Sequence, residues 1–282
     1  MGLRIDTTGT FASQRFLLLQ QAQLQRQLGE LSSGLRINSA ADDPAGLGIS
    51  EQLRARIGGV NALATNASRA RNLVQTAEGA LTEVNAQLAT IRGLAVQAGN
   101  GAVLGEAGLQ AIQDQITLAT QSINRVVETT QFAGRPLLNG TFQDEQFAIG
   151  EGNPARLTIA NLAPSELGRG VENESGFANL AEIDVTTPQG AADALRVVDA
   201  AINEVSSVRG ELGAFQTNVL ESSFRQLQIN RENLMASDST IRDTDIARAA
   251  GEAALSQIRL QASIFAQNAA NRRTGMLVDL LA

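Results

Sequence analysis

Residues 60–98 read VNALATNASRARNLVQTAEGALTEVNAQLATIRGLAVQA. Taken at every third or fourth position, Val60, Leu63, Ala67, Ala70, Val74, Ala77, Leu81, Val84, Leu88, Ile91, Ala95 and Ala98 are all apolar. The spacing runs unbroken for more than five heptads, with a mean period of about 3.5 residues. A seam with that period buries itself against another helix and favours a left-handed supercoil. At about 1.5 Å per residue the helix would span about 60 Å. A compact domain of this chain length has a radius of gyration of only about 19 Å. The stretch therefore predicts a rod of long helices that partner one another, and a packing seam rather than a cofactor box.

On the N-terminal side, residues 1–35 begin polar and then carry Leu17, Leu24 and Leu31 seven apart, with Leu28 and Leu35 at the same interval. Gln and Arg fill the spaces between them, so the segment reads as an amphipathic helix needing a partner. Gly34 is placed to end it. Asp43 precedes Pro44, which pushes Asp43 out of the helical region and suits it to cap a helix starting at the proline. Asp42 and Asp43 thus read as turn and cap, not as paired carboxylates for acid–base or metal chemistry. Gly58-Gly59 is expected to interrupt the helix before the long seam.

On the C-terminal side, a turn of about ten residues after Gly99-Asn100-Gly101 should lead into a second seam. That seam is Leu109, Ile112, Ile116, Ala119, Ile123 and Val126, and it predicts an antiparallel partner helix. Residues 139–190 are richer in Gly, Pro, Asn and Thr, and the runs 146–149, 156–160 and 183–187 read as short strands or hairpins. Helix returns near Gly190 with Leu195, Val198, Ile202, Val205, Leu212 and Val219. A second, shifted stripe runs Leu220, Leu227, Leu234, Ile241 at seven-residue spacing. Asp243 and Asp245 form a D-x-D pair without companion ligands, which points to a hinge and an N-cap. The tail places Leu255, Ile258, Ala262, Phe265 and Ala269 on one helical face and ends with Leu277, Leu280 and Leu281.

Composition narrows the function. The net charge is -7, which argues against nucleic acid and anionic membranes as partners. All 22 basic residues are Arg, and the chain has no Cys, His, Trp or Tyr. Thiolate chemistry and thiolate metal sites are thereby excluded, and the commonest general base is missing. No catalytic residue, cofactor or metal is expected. Met1 to Phe11 lacks the apolar core of a cleaved signal, and Phe16-Leu17-Leu18-Leu19 is too short to span a bilayer. The chain is expected either to stay in the cytoplasm or to leave the cell by a route that uses no cleaved signal.

Longer stretches carry a family likeness. Residues 31–47, LSSGLRINSAADDPAGL, resemble the N-terminal signature of bacterial flagellin. Residues 72–81, NLVQTAEGAL, residues 91–97, IRGLAVQ, and residues 131–140, QFAGRPLLNG, resemble the same family further along. So do residues 212–216, LGAFQ, and residues 237–247, SDSTIRDTDIA. Asn268 to Arg273 replace the Gln- and Pro-containing run usual there, and Asp6-Thr7-Thr8 replaces the usual Asn-Thr-Asn.

The resemblance implies a mainly α fold, an elongated rod of antiparallel coiled-coil-like helices from the two chain ends with a small hairpin-containing centre. It implies an inner filament-core domain of residues 1–35 and 246–282 and a connecting spoke of 36–59 and 236–245. Residues 60–235 would form the rod, with its short β segment at 139–190 and no large outer domain. The spoke signature is Arg36, Asn38, Asp42, Asp43, Pro44, Gly46, Arg242, Asp243 and Asp245. The function implied is a structural subunit of the extracellular flagellar filament. The alternatives are a hook–filament junction protein or a minor, specialised flagellin.

Implied partners are further copies of the chain, hook-associated and cap proteins, the type III export apparatus and a cytoplasmic export chaperone. A Toll-like innate receptor is implied at Arg92 and Leu94, although Thr90, Gly93 and Gln115 stand where that pattern carries charge. A signalling coiled coil would carry transmembrane segments or a catalytic module. A carboxylate enzyme would need a convergent pocket, which a thin rod does not supply.

The stripes themselves argue for assembly. A lone pair of thin helices cannot cover both partners' apolar faces and buries too little surface to offset its ordering entropy. The terminal segments are therefore expected to be labile in the monomer and to fold on polymerisation. Heterologous contacts that do not close generate an open helical polymer.

Overall fold

The computed structural model describes residues 8–150, 152 and 154–279. It is mainly helical: α1 spans Thr8–Ser33, α2 Pro44–Ala98, α3 Gly101–Thr129, α4 Pro188–Ala214, α5 Ser222–Arg242 and α6 Ile246–Asp279. Strands β1 (Gln131–Phe132) and β2 (Arg135–Pro136) pair antiparallel, as do β3 (Glu145–Phe147) and β4 (Ala155–Leu157). The chain divides into two compact units. Unit 1 comprises Met1–Gly58 and Arg231–Ala282, and unit 2 comprises Gly59–Asn230.

Unit 2 holds the core. Along the 60–98 seam every residue is buried except Leu63, which is half-buried. Leu109, Ile112, Ile116, Ala119, Ile123 and Val127 of α3 join the same cluster, as do Val197, Val198, Ala201, Val205 and Leu212 of α4. Val127 closes the α3 seam, and the expected Val126 is half-buried beside it. α4 runs antiparallel to α2, with Arg92 Nε 2.7 Å from Asp199 Oδ1 and Arg209 Nε 3.3 Å from Glu78 Oε2. Thr187 caps α4 by accepting from Gly190 N–H at 3.0 Å, with Pro188 at the first helical position.

Between α4 and α5 the helix continues as a π-helical turn, Phe215–Glu221. A π turn adds a residue to the helical repeat. Buried positions therefore pass from Leu212 and Phe215 to Leu220 and Leu227, leaving Val219 half-buried. The one-residue shift between the two stripes in the sequence has its physical cause here.

Three local expectations are corrected. α2 runs straight through Gly58-Gly59, because two exposed glycines cost only about 1 kcal/mol each in a helix this long. The segment expected as a ten-residue turn is helical from Gly101 and broken once, at Gly105 (φ 67, ψ 173). Residues 183–187 form no strand. Ile183 and Val185 are buried, but their backbone is satisfied by the Gln113 side chain. Gln113 Nε2 donates to Ile183 O at 3.0 Å, and its Oε1 accepts from Val185 N–H at 2.9 Å. One amide side chain does there what a neighbouring strand would have done.

Candidate self-assembly surface

In unit 1, α1 and α6 pack along each other. α1 ends at Gly34, whose left-handed conformation (φ 71) lets its N–H reach Glu30 O at 2.8 Å, the usual glycine helix stop. An isolated antiparallel bridge then joins Leu35 to Asp243. Arg36 N–H donates to Arg242 O at 2.7 Å, and Thr244 N–H donates to Gly34 O at 3.0 Å. The end of α1 and the start of α6 are thereby tied together, so the two helices run antiparallel.

The turn into α2 rests on two carboxylates. Asp42 Oδ2 accepts from Ser39 N–H at 2.9 Å, Ser39 Oγ at 3.0 Å and Asn38 N–H at 3.2 Å. These bonds, the Ser39 backbone N–H foremost, hold the Asp42 carboxyl below its ordinary pKa. Asn38 Nδ2 donates to Ser33 Oγ at 2.8 Å. Asp43 Oδ1 accepts from Gly46 N–H at 2.8 Å and caps α2 ahead of Pro44. A Cβ on Gly46 would collide with the Asp43 carboxylate and with Ile37 Cδ1, so a larger residue here would have to displace the capping carboxylate.

Further along the same unit, Asp238 receives Ser50 Oγ at 2.6 Å and Arg54 Nε at 3.3 Å. Arg242 Nη1 donates to Glu51 Oε1 at 3.0 Å, and the Arg36 guanidinium donates to Ile241 O. Asp245 Oδ1 accepts from Arg248 N–H at 3.1 Å at the start of α6. Each polar residue of the spoke signature is thus engaged in backbone or side-chain bonding within unit 1.

The two terminal helices meet through one face each. On α1 the half-buried or buried positions at this spacing are Ser13, Leu17, Gln20, Leu24, Gln27 and Leu31, with Gln23, Gly29 and Glu30 half-buried beside them. On α6 they are Ala249, Ala253, Ser256, Leu260, Ser263 and Gln267. Both sets keep 3-4 spacing, yet half of the twelve side chains are Ser or Gln. Gln27 is 8% exposed, and the Oε1 atoms of Gln20 and Gln27 are buried without a hydrogen-bond partner among the described residues. Leaving such an acceptor unpaired costs about 1–3 kcal/mol, so this seam is a weak one.

The apolar residues of the terminal helices mostly point elsewhere. Leu28, Leu255, Ile258, Ala262 and Phe265 are exposed, Phe265 by 76%. Leu35 is half-buried at the bridge. Of the remaining residues expected to drive assembly, Leu277 lies in α6, while Leu280 and Leu281 lie outside the described residues. The structure adds Phe11, Phe16, Leu18, Leu19 and Ile264, all exposed, with Leu19 at 67%. For Phe16, Leu18 and Leu19 the signal was present in the Phe16-Leu17-Leu18-Leu19 run, because a helix apolar on more than one face needs more than one partner.

Elsewhere, Arg92 is held by Asp199 at 2.7 Å, and Leu94 is buried in the unit 2 core. No helix among the described residues is long and apolar enough to cross a membrane.

These features define a class: a helical protein whose two terminal helices pair with each other through a seam half made of Ser and Gln and carry most of their large apolar side chains at the surface. Comparison with known proteins gives the family. Residues 8–143 match the bacterial flagellin N-terminal helical region, and residues 195–281 match the C-terminal helical region. The chain is 38% identical to the flagellin of Bacillus subtilis, over 91% of this chain and 92% of that one. It is 33% identical to a flagellar filament core protein of Treponema maltophilum, over 95% of each chain. The chain belongs to the bacterial flagellin family. Among solved structures, a Vibrio parahaemolyticus protein assigned to the flagellar hook-associated proteins shares the fold. Its TM-score is 0.61 at 15% identity, over 72% of this chain and 100% of that one.

Proposed function

We infer that the chain is a structural subunit of the bacterial flagellar filament and that it assembles through its terminal helices. The observation that carries this reading is the inverted burial of the α1–α6 pair. Ser and Gln take half of the intrachain seam positions, between Leu and Ala, while Phe11, Leu19, Ile258 and Phe265 stay in solvent. Burying such side chains contributes about 1.5–3 kcal/mol each, so copies packed side by side gain what the isolated chain lacks. Family membership supports the same reading, since one relative is a flagellin and another a flagellar filament core protein by name.

On this reading residues 1–35 and 246–282 form the filament core, 36–59 and 236–245 the spoke, and 60–235 the outer helical part. The finer partners follow from the family: hook-associated and cap proteins at the filament ends, a cytoplasmic chaperone, and export by the type III apparatus without a cleaved signal. The same family reading puts a Toll-like receptor contact at Arg92 and Leu94. The Arg92 side chain is half-exposed and engaged with Asp199, and Leu94 is buried in the core, so the surface offered to a receptor there is small.

The test is electron microscopy of the purified chain seeded with filament fragments, beside a chain lacking residues 246–282. Long uniform filaments from the intact chain alone support terminal-helix assembly. Equal polymerisation of the truncated chain, or no filaments from the intact one at any salt concentration, overturns it.

A further inference from the structure

Unit 2 carries a cavity of about 140 Å³ beside the π-helical turn. α2 lines it with Ala67 and Arg71, the turn with Leu220 and Glu221, and α5 with Phe224 and Arg225. Ala67 and Leu220 are buried and Phe224 half-buried, which makes an apolar floor. The rim is charged. Arg225 Nη1 lies 3.8 Å from Glu221 Oε2, an exposed one-turn pair of the kind that contributes little. Arg71 Nε is buried and donates to no acceptor among the described residues. Two guanidiniums against one carboxylate leave the cavity with a local positive charge and an idle donor. A buried N–H in that state costs free energy until an acceptor arrives, and a charged acceptor suits it best.

An acidic segment lies at the other end of the same unit. Residues 172–184 contain Glu172, Glu174, Glu182 and Asp184 and no Arg. The segment is fixed near the start of α4, where Ser175 donates to Asp193 Oδ2 from its N–H at 2.9 Å and from its Oγ at 2.7 Å. Glu182 accepts from Ala178 N–H, and Asp184 accepts from Thr186 N–H, so both serve the local fold. Glu172 and Glu174 are exposed and make no hydrogen bond or ion pair among the described residues. From Asp193 to Leu220 the chain is one continuous helix, which separates the acidic segment from the cavity by roughly 40 Å at about 1.5 Å per residue. The segment and the cavity of one chain therefore cannot meet.

We propose that the cavity between Arg71 and Arg225 is a docking socket for a carboxylate of the Glu172–Glu174 segment of a second copy. The contact is heterologous, head to tail, so it does not close on itself and propagates as an open polymer. The charge complementarity picks the partner: a free acidic loop on one end of unit 2 and an idle guanidinium on the other. The apolar floor strengthens the pairing by excluding water around it. This assignment rests on the filament-subunit reading and adds a specific contact made by unit 2 to the one made by the terminal helices.

The test is a double-mutant cycle on the full chain, read as the critical concentration for seeded polymerisation by sedimentation. R71Q alone and E172Q/E174Q alone are each expected to raise the critical concentration roughly tenfold, because each removes one side of a charge-assisted bond. Their combination is expected to be no worse than either alone, which marks the two sites as coupled. High salt is expected to weaken the intact chain and leave the variants nearly unchanged. The exposed, unbonded Glu172 and Glu174 can be replaced without touching the fold, and far-UV circular dichroism checks R71Q. If the intact chain polymerises and E172Q/E174Q matches it, or if the two effects simply multiply, the socket is refuted while the filament reading stands. Failure of the intact chain to polymerise refutes both.

Discussion

The α2 seam of unit 2 and the seam between α1 and α6 share one helical period, but the first buries only apolar side chains and the second mixes them with Ser and Gln. In unit 2 the period selects Val, Leu, Ile and Ala, and positions such as Leu81, Val84, Leu88 and Ile91 are fully buried within a single chain. Between α1 and α6 it alternates Leu17, Leu24, Leu31 and Leu260 with Gln20, Gln27, Ser256 and Ser263, and most of the large apolar residues lie on other faces. Unit 2 is finished as a folded object when one chain has folded. The terminal pair has its antiparallel alignment set by the Leu35–Asp243 bridge but leaves its main apolar surface uncovered. The contrast teaches that spacing fixes which face meets a partner, whereas side-chain chemistry fixes whether that partner suffices.

The contrast can be broken experimentally. Removing residues 246–282 should abolish filament formation outright while the unit 2 melting transition keeps its midpoint, as calorimetry and electron microscopy would show. Leu88→Ala acts on the other side of the comparison. It empties a fully buried position and should cost unit 2 about 2–5 kcal/mol in denaturant unfolding. Phe265→Asp, at a position 76% exposed in the single chain, should leave monomer stability unchanged and raise the critical concentration about a hundredfold. A large loss of monomer stability in that variant would mean that Phe265 is covered within its own chain.

Smaller effects sharpen the same contrast. Gln27→Leu removes from the α1–α6 seam a buried acceptor that has no partner among the described residues. It should strengthen the pair in the monomer by about 1–2 kcal/mol, measured as slower proteolysis of α1. Weakening instead would reveal a partner for that oxygen. In unit 2, Asp193 is 0% exposed, and the Ser175 hydroxyl, more than any other group, holds its carboxyl below the ordinary value of 3.8. A lowered folded pKa stabilises the fold above the unfolded value and is lost as pH falls through the folded one. The unit 2 transition should therefore drop in temperature as the pH falls below 3.8, and Asp193→Asn should flatten that acid limb.

Much of unit 2 was legible because hydrophobic period is a strong signal where one chain supplies both partners. The 60–98 seam, the α3 seam and even the offset to Leu220 were visible as spacing, although only the structure shows the offset as a π turn. What stayed hidden has physical reasons. Ala249, Ala253 and Ser256 carry almost no hydrophobic signal, so the face that α6 turns toward α1 could not be told from a solvated one. Residues 183–187 alternate like a strand, but a single glutamine side chain, Gln113, takes up their backbone bonds. Gly58-Gly59 looked like a break, and local propensity yielded to the surrounding helix.

Within the candidate assembly surface, the exposed stripe through Leu255, Ile258 and Phe265 was readable as a stripe. Its direction, away from α1, was not. Phe16, Leu18 and Leu19 were read only as a run too short to cross a bilayer, because a single amphipathic face was sought where the helix has more than one.

The central claim is that the terminal helices complete their burial only in the polymer. Amide hydrogen exchange, followed by mass spectrometry on the monomer and on the filament, tests it most directly. The account predicts fast exchange across α1 and α6 in the monomer, slow exchange across residues 60–98 in both states, and strong protection of α1 and α6 gained on polymerisation. Terminal helices protected in the monomer as strongly as residues 60–98, with nothing gained in the filament, would contradict it.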